Sequence, residues 1–255
     1  MFKTNKKILL TGGSGRLGFN IRKLIKCDAS DESIFINPSN LTPAEIELDI
    51  RDYKKCLRVI KKYKPDIIIH CAAWTDVLGA EKNKKECWDT NVIGTQNMVR
   101  AARGRRFIYI STEYVFDGER GNYKETDTPN PVNFYSLTKL VGEFIVSQYK
   151  NTLIIRTSFK QDGPWQYPKA FVDQWTGADF ARERAPDIIK AALMTDLTGL
   201  IHITGKRKSI YDLARRASPD VGKMSIKDVK VKLPKDTSLD ISLWKRILKS
   251  SRVKE

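Results

Sequence analysis

The sequence is poor in the residues that build metal cages and disulfide frameworks. It has four cysteines, Cys27, Cys56, Cys71 and Cys87, with no CxxC spacing, and two histidines, His70 and His202. No metal site or disulfide scaffold is therefore expected, and the cysteine usage fits a reducing, cytoplasmic setting. No apolar run approaches the ~20 residues that a membrane-spanning helix needs, so no membrane partner is expected. The opening Met1-Phe2-Lys3-Thr4-Asn5-Lys6-Lys7 has no signal-peptide pattern. Glycine (15) and proline (10) are scarce and hydrophobic residues reach 41%, which excludes wholesale disorder. A length of 255 residues predicts one domain, or one domain with a small appendage.

Acidic residues are the other shortage. Thirty Asp and Glu face 46 Lys and Arg, a net charge of +16. Residues 206–255 alone carry fifteen basic against six acidic side chains. This balance favours anionic partners such as phosphorylated small molecules. It does not predict specific nucleic-acid binding, because no RNP signature, zinc finger or basic stripe interleaved with aromatics is present.

What the chain does have is alternation. Lys7-Ile8-Leu9-Leu10-Thr11 is a short apolar run that ends in glycines, and Leu17, Ile21, Leu24 and Ile25 then fall on one helix face. Strand signals follow at 33–36, 46–49, 66–71, 106–111 and 152–156. Helix signals lie between them at 51–63, 84–103 and 132–149. Asp66-Ile67-Ile68-Ile69-His70-Cys71 is apolar throughout, as in a strand buried on both faces of a parallel sheet. The pattern predicts an α/β fold: a doubly wound parallel sheet of the Rossmann type over 1–157. Residues 158–255, broken by Pro164, Pro168, Pro186 and Pro219, are expected to form mostly a small C-terminal substrate-binding cap. A closing strand and helix would return from it to the core.

Thr11-Gly12-Gly13-Ser14-Gly15-Arg16-Leu17-Gly18 lies between the first strand and the first helix. Glycines at 12, 15 and 18 allow a tight turn and a close backbone approach to a pyrophosphate, which the free N–H groups of the helix start then hold. The second strand ends at Asn37, where an acid would favour NAD and repel a 2′-phosphate. Arg16 could pair with that phosphate. NADP(H) is therefore favoured, with NAD(H) left open. Asp49, with Ile50, is placed to reach the adenine, or else to cap the next helix.

Tyr135-Ser136-Leu137-Thr138-Lys139 is a YxxxK. Nine tyrosines and 29 lysines produce about one such spacing by chance, so position has to decide its meaning. It opens a helix, on which residues four apart share a face. A phenol with an ordinary pKa near 10 is a weak acid at neutral pH, and a neighbouring ammonium is expected to lower it towards ~7. Ser111-Thr112 ends a strand at the edge where ligands bind, and Thr112 could hold the oxygen that Tyr135 protonates.

The run Tyr109-Ile110-Ser111-Thr112-Glu113-Tyr114-Val115-Phe116-Asp117-Gly118 resembles the dTDP-4-dehydrorhamnose reductase family of the extended short-chain dehydrogenase/reductases. So do Tyr123-Lys124-Glu125-Thr126-Asp127, Cys71-Ala72-Ala73-Trp74-Thr75-Asp76-Val77, Asn91-Val92-Ile93-Gly94-Thr95 and Ile154-Ile155-Arg156-Thr157-Ser158. The resemblance implies Thr112, Tyr135 and Lys139 as catalytic residues. It implies Gly12, Gly13, Ser14, Gly15, Arg16, Leu17, Asn37, Asp49, Ile50, Cys71, Ala72, Ala73 and Asn91, together with Tyr135 and Lys139, around the cofactor. Thr75, Asp76, Thr112, Val115 and Phe116 would lie near the sugar. The implied reaction is hydride transfer from NAD(P)H to C4 of a nucleotide-linked 4-keto-6-deoxyhexose, as in deoxysugar or rhamnose biosynthesis, with a nucleotide-diphosphate sugar as partner. Two alternatives stay open: a bifunctional 3,5-epimerase/4-reductase, for which Cys71 and Cys87 are candidate thiols, and a non-catalytic regulatory subunit like that of methionine adenosyltransferase. A homodimer is also left open. The chain departs from the family at Glu113, where Asp is usual, at Phe159, where Trp is frequent, and across 160–186.

Overall fold

The computed structural model describes residues 2–26, 34–37, 45–229 and 233–252. Cys27 and Ser33 lie outside them. Seven strands form one parallel sheet. They are β1 (Ile8–Thr11), β2 (Ile34–Asn37), β3 (Glu45–Glu47), β4 (Ile67–His70), β5 (Arg106–Thr112), β6 (Thr152–Thr157) and β7 (Gly199–Ile203). Their order across the sheet is β7-β6-β5-β4-β1-β2-β3. The strand order reverses between β1 and β4, which opens a crevice at the carboxyl ends of those two strands. Every residue of β1, β4, β5 and β6 is buried. This is why these strands read as unbroken apolar runs rather than as alternating ones.

The main helices are α1 (Arg16–Leu24), α2 (Tyr53–Tyr63), α3 (Val77–Lys82), α4 (Lys84–Trp88), α5 (Gly94–Ala102), α6 (Phe134–Ser147), α7 (Ala181–Leu193), α8 (Ile210–Arg215) and α9 (Ser242–Arg252). Successive strand residues point to opposite faces. On one face Ile8, Leu10, Ile67, Ile69, Ile108 and Ile155 pack with Leu17 and Ile21 of α1, Ile188 of α7 and Trp244 of α9. On the other, Leu9, Ile68, Phe107 and Tyr109 pack with Cys56 and Ile60 of α2, Met98 of α5 and Val146 of α6. Burying each such side chain contributes about 1.5–3 kcal/mol.

Strand ends differ from the sequence reading by one or two residues, and three helices differ for identifiable reasons. The helix read from Arg51 begins at Tyr53, because Asp52 caps it by accepting from the Lys55 N–H at 3.0 Å. Asp49 is therefore not the cap. The helix read over 84–103 is α4, a π-helical stretch at Asp89–Ile93, and α5. Proline-free apolar periodicity cannot reveal such a bulge. α6 is shorter than read at both ends, starting where Asn133 Oδ1 accepts from the Ser136 N–H at 2.8 Å.

Past Thr157 the chain divides its elements. α7, β7 and α9 join the sheet layers. Short strand pairs, Lys169–Phe171 with Gly222–Met224 and Trp175–Thr176 with Lys208–Ser209, build a small assembly with α8 over the carboxyl ends. Asp179, 8% exposed, ties it together by pairing its carboxylate with Arg184 (3.2 Å), Lys208 (2.9 Å) and Arg216 (3.0 Å). No helix among the described residues is long and apolar enough to cross a membrane.

Candidate active site

The glycine turn meets β4. Gly12 has φ +68°, and a Cβ there would stand 2.7 Å from the Ala72 N atom. A Cβ on Gly18 would stand 2.1 Å from the Gly12 carbonyl oxygen. Only glycine satisfies the left-handed turn and the close packing of helix on turn. No side chain caps the start of α1, and no acid lies in its first turn. The start of α1 therefore offers first-turn N–H groups without a side-chain cap, and the positive helix end, to an anion, as a dinucleotide pyrophosphate requires. Ser14 and Gly15 are exposed there, while Gly13 is buried. Leu17 and Ile50 spend their side chains in the two cores, so only their backbone can meet a ligand.

Behind the turn, Thr11 Oγ1 accepts from the Ala72 N–H at 3.1 Å and lies 2.8 Å from His70 Nδ1. His70 Nε2 lies 3.2 Å from Thr95 Oγ1. Burial, reinforced by the Lys139 charge, brings His70 down to about 3, so the imidazole is neutral. Cys71 and Ala73 follow on the same edge, partly buried. Burial pushes the Cys71 thiol up to about 12 and raises Cys87 as well, so neither is a thiolate at neutral pH.

Asn91, fully buried in the π-helical stretch, joins this edge to α6. It accepts from the Trp74 N–H at 2.7 Å and donates to the Trp74 carbonyl (3.1 Å) and to Thr138 Oγ1 (2.9 Å). Single-turn π bulges recur at functional sites because they re-aim one side chain.

Thr112 ends β5, and Tyr135 and Lys139 lie one turn apart on α6. They are 9%, 8% and 3% exposed. The Thr112 hydroxyl lies beside the Tyr135 phenol and accepts from the Tyr114 N–H at 3.2 Å, and Lys139 Nζ lies 4.1 Å from the Tyr109 ring centroid. One turn on, Glu143 receives two hydrogen bonds from Arg156, at 2.9 and 2.8 Å, and one from Ser111, so α6 is pinned to β5 and β6. The ammonium does not lower the phenol as the YxxxK spacing led us to expect. Burial pushes Tyr135 well above its ordinary value, only partly offset by the Thr112 hydroxyl. Burial also brings Lys139 down to about 8, with Glu143 opposing. Desolvation penalises the charged form of each group, and here it outweighs their mutual effect.

The structure does not bring every expected residue together. Val115 and Phe116 are turned away from the edge into a small core with Tyr123 and Leu239, with Phe116 stacked on Tyr123 at 4.2 Å. Their side chains cannot meet a sugar, which corrects that expectation. Asp76 caps α3 by accepting from the Gly79 N–H at 2.9 Å, and Thr75 beside it is exposed. Asp49 is paired with Arg51 at 2.6 Å, which holds its carboxyl below the usual range. The Asn37 side chain lies outside what is described, although its backbone ends β2.

A cleft of about 620 Å³ opens between the glycine turn and the small assembly, lined by Arg16, Glu113, Tyr114, Lys160, Trp165 and Trp175. Most of these were not singled out from sequence. The signal was a stretch, 160–175, rich in aromatics but without periodicity to place it. Glu113 is 3% exposed. Its Oε1 accepts from Thr176 Oγ1 at 2.9 Å, and no group among the described residues donates to Oε2 in good geometry. Burial raises its pKa, with hydrogen bonds from Ser158, Thr176 and Thr237 opposing.

Comparison with known proteins agrees with this layout. A family model described as the RmlD substrate binding domain matches residues 6–175. A dTDP-4-dehydrorhamnose reductase of Aggregatibacter actinomycetemcomitans is 29% identical over 199 residues, 76% of this chain and 60% of that protein. Methionine adenosyltransferase 2 subunit beta of Danio rerio is 33% identical over 138 residues, 54% of this chain and 42% of that protein. The chain thus spans between two fifths and three fifths of the length of these two relatives. Among solved structures, a hypothetical dTDP-4-dehydrorhamnose reductase from Sulfolobus tokodaii superposes with a TM-score of 0.83 at 32% identity, covering 94% of both chains. A dTDP-4-dehydrorhamnose reductase from Bacillus anthracis, solved with NADP, shares the fold at a TM-score of 0.80 and 24% identity, over 95% of this chain and 93% of that one. With two thirds of its length under the family model, and with the glycine turn and the Thr112, Tyr135 and Lys139 cluster on one sheet edge, the chain belongs to the dTDP-4-dehydrorhamnose reductase-like family.

Proposed function

We propose that the protein is an NAD(P)H-dependent reductase of the 4-keto group of a nucleotide-linked 4-keto-6-deoxyhexose. The observation that carries this reading is the buried cluster of Thr112, Tyr135 and Lys139 beside an uncapped glycine turn. The bare turn suits the dinucleotide pyrophosphate, and the nicotinamide, when bound, supplies the hydride. Tyr135, a neutral phenol raised by burial, donates its proton to the oxygen of the reduced carbonyl. Thr112 holds that oxygen through its hydroxyl. Lys139, with its pKa near 8, is mostly charged at pH 7 and stabilises the phenolate left behind. Asn91 and the Glu143–Arg156 pair keep α6 at the spacing this transfer needs.

The segment over the carboxyl ends acts as the substrate cap, with Trp165 and Trp175 offering flat faces to a nucleotide base. NADP(H) is the favoured cofactor, as no acid ends β2. The free thiols Cys56, Cys71 and Cys87 support a reducing, cytoplasmic setting.

The test is NADPH consumption with dTDP- and UDP-linked 4-keto-6-deoxyhexoses. Wild type should turn over, and Tyr135→Phe should lose at least ~10²-fold in kcat with NADPH affinity retained. Near-normal turnover by Tyr135→Phe would remove this mechanism. A wild type that binds NADPH but consumes none with either substrate would favour a binding role like that of the methionine adenosyltransferase subunit.

A further inference from the structure

Arg16 sits on the first turn of α1, exposed, on the cleft shared with the cap. Its carbonyl accepts from Asn20 Nδ2 at 2.9 Å, and the same amide donates to Asp162 Oδ2 at 2.7 Å. Asp162 also takes the Arg182 N–H at 3.3 Å and the Arg182 guanidinium at 3.5 Å. The start of α1 is thereby laid against the cap segment that carries Lys160. Asp162 is the acid nearest in sequence to that segment's cation, and its charge is already taken by Arg182. Among the described residues no hydrogen bond or ion pair engages the guanidinium of Arg16 or the ammonium of Lys160. Two cations thus line one cleft, Arg16 from the cofactor turn and Lys160 from the cap, where Lys160 also feels the charge of the buried Glu113 carboxyl.

The same cleft holds flat aromatic faces, Trp165 and Trp175, and a buried acceptor, Glu113, to one oxygen of which no described residue donates in good geometry, with the Ser158 and Thr237 hydroxyls nearby. Together these fit a ligand that carries a ring, hydroxyl donors and two adjacent negative charges. In the sheet, β2 lies on one side of β1, and β6, from which the chain enters the cap, lies on the other.

We infer that Arg16 serves the substrate and not the cofactor: with Lys160 it clamps the diphosphate of the sugar nucleotide across the seam between sheet and cap. The inference rests on the reductase reading above. It replaces the expectation that Arg16 selects NADP(H) through the 2′-phosphate. A guanidinium pairs with two phosphate oxygens at once, so the clamp orients the nucleotide as well as attracting it.

The experiment titrates dTDP, UDP and thymidine into protein saturated with NADP⁺, and NADPH and NADH into free protein. It uses wild type, Arg16→Ala, Arg16→Lys and Lys160→Ala. Arg16→Ala should raise the Kd of dTDP and UDP about tenfold and leave thymidine, NADPH and NADH within about twofold of wild type. Arg16→Lys should recover part of the loss, and Lys160→Ala should reproduce it. A loss confined to NADPH would return Arg16 to the 2′-phosphate and overturn the inference. Equal losses for NADPH and NADH with dTDP unchanged would assign it to the cofactor pyrophosphate and overturn it too. A wild type that binds NADPH but neither nucleoside diphosphate would sink the reductase reading itself.

Discussion

Lys139 shows what burial does to one residue. On a surface its ammonium would stay charged to pH 10, but desolvation at 3% exposure brings it down to about 8. The charged form therefore predominates below pH 8 and is lost as pH rises through that value. We expect kcat/KM to fall on the alkaline side with a limb near pH 8. Arg keeps its charge throughout this range, so Lys139→Arg should abolish the limb even where it lowers the rate. A limb that persists in Lys139→Arg would have to belong to another group. The spacing from Tyr135 to Lys139 was legible in the sequence, but the direction of both shifts was not. It depends on how much protein surrounds the pair, including Glu143 one turn on along α6, and Tyr109 and the Asn91 clamp from two other segments.

At the scale of elements, α6 is held by more than its apolar face. Glu143 and Arg156 are 6% and 4% exposed in their side chains and bonded by two nitrogens. Arg156→Met leaves the carboxylate buried without its partner, which should cost about 3–5 kcal/mol of stability. Replacing both, as Glu143→Leu with Arg156→Met, should recover most of that loss, because no buried charge then remains. Urea unfolding of the single and double variants decides it. A single variant within ~1 kcal/mol of wild type would mean that water reaches the pair. The strands and helices themselves were largely readable: unbroken Ile and Leu runs gave way to helical spacing on schedule. What failed to show was the π-helical stretch at Asp89–Ile93, since its cause is the tertiary demand that Asn91 reach both Trp74 and Thr138.

For the whole molecule, both histidines are buried neutral, His70 down to about 3 and His202 to about 4, against an ordinary value of 6.5. Burial is the main cause for each, with Arg156 adding to it at His202. In the unfolded chain both take up protons near pH 6.5, while the folded protein does not until well below pH 5. The histidine contribution to stability should therefore be level above pH 7 and fall as pH drops from 6.5 towards 4, by on the order of a few kcal/mol. Glu113 and Glu125, whose carboxyls burial raises, take up protons in the folded state and oppose part of that fall. The His202 share is isolated by comparing denaturant midpoints of wild type and His202→Asn from pH 7 to 4.5. The variant should show the shallower dependence, and identical slopes would mean that His202 is protonated in the fold.

The sequence by itself determined the parallel sheet and its glycine turn, because both depend on local rules: what a strand buried on two faces must be made of, and where only glycine fits a left-handed turn. It also determined that Tyr135 and Lys139 share a helix face. The tertiary structure alone decided which of the family-like residues reach the crevice. Val115 and Phe116 went into a core with Tyr123 and Leu239, Asp49 went to Arg51, and Arg16 came to face the cap. The reason is physical. A side chain's partners are set by what packs against it, and these range from Arg51, two residues from Asp49, to Leu239, more than a hundred residues from Val115 and Phe116.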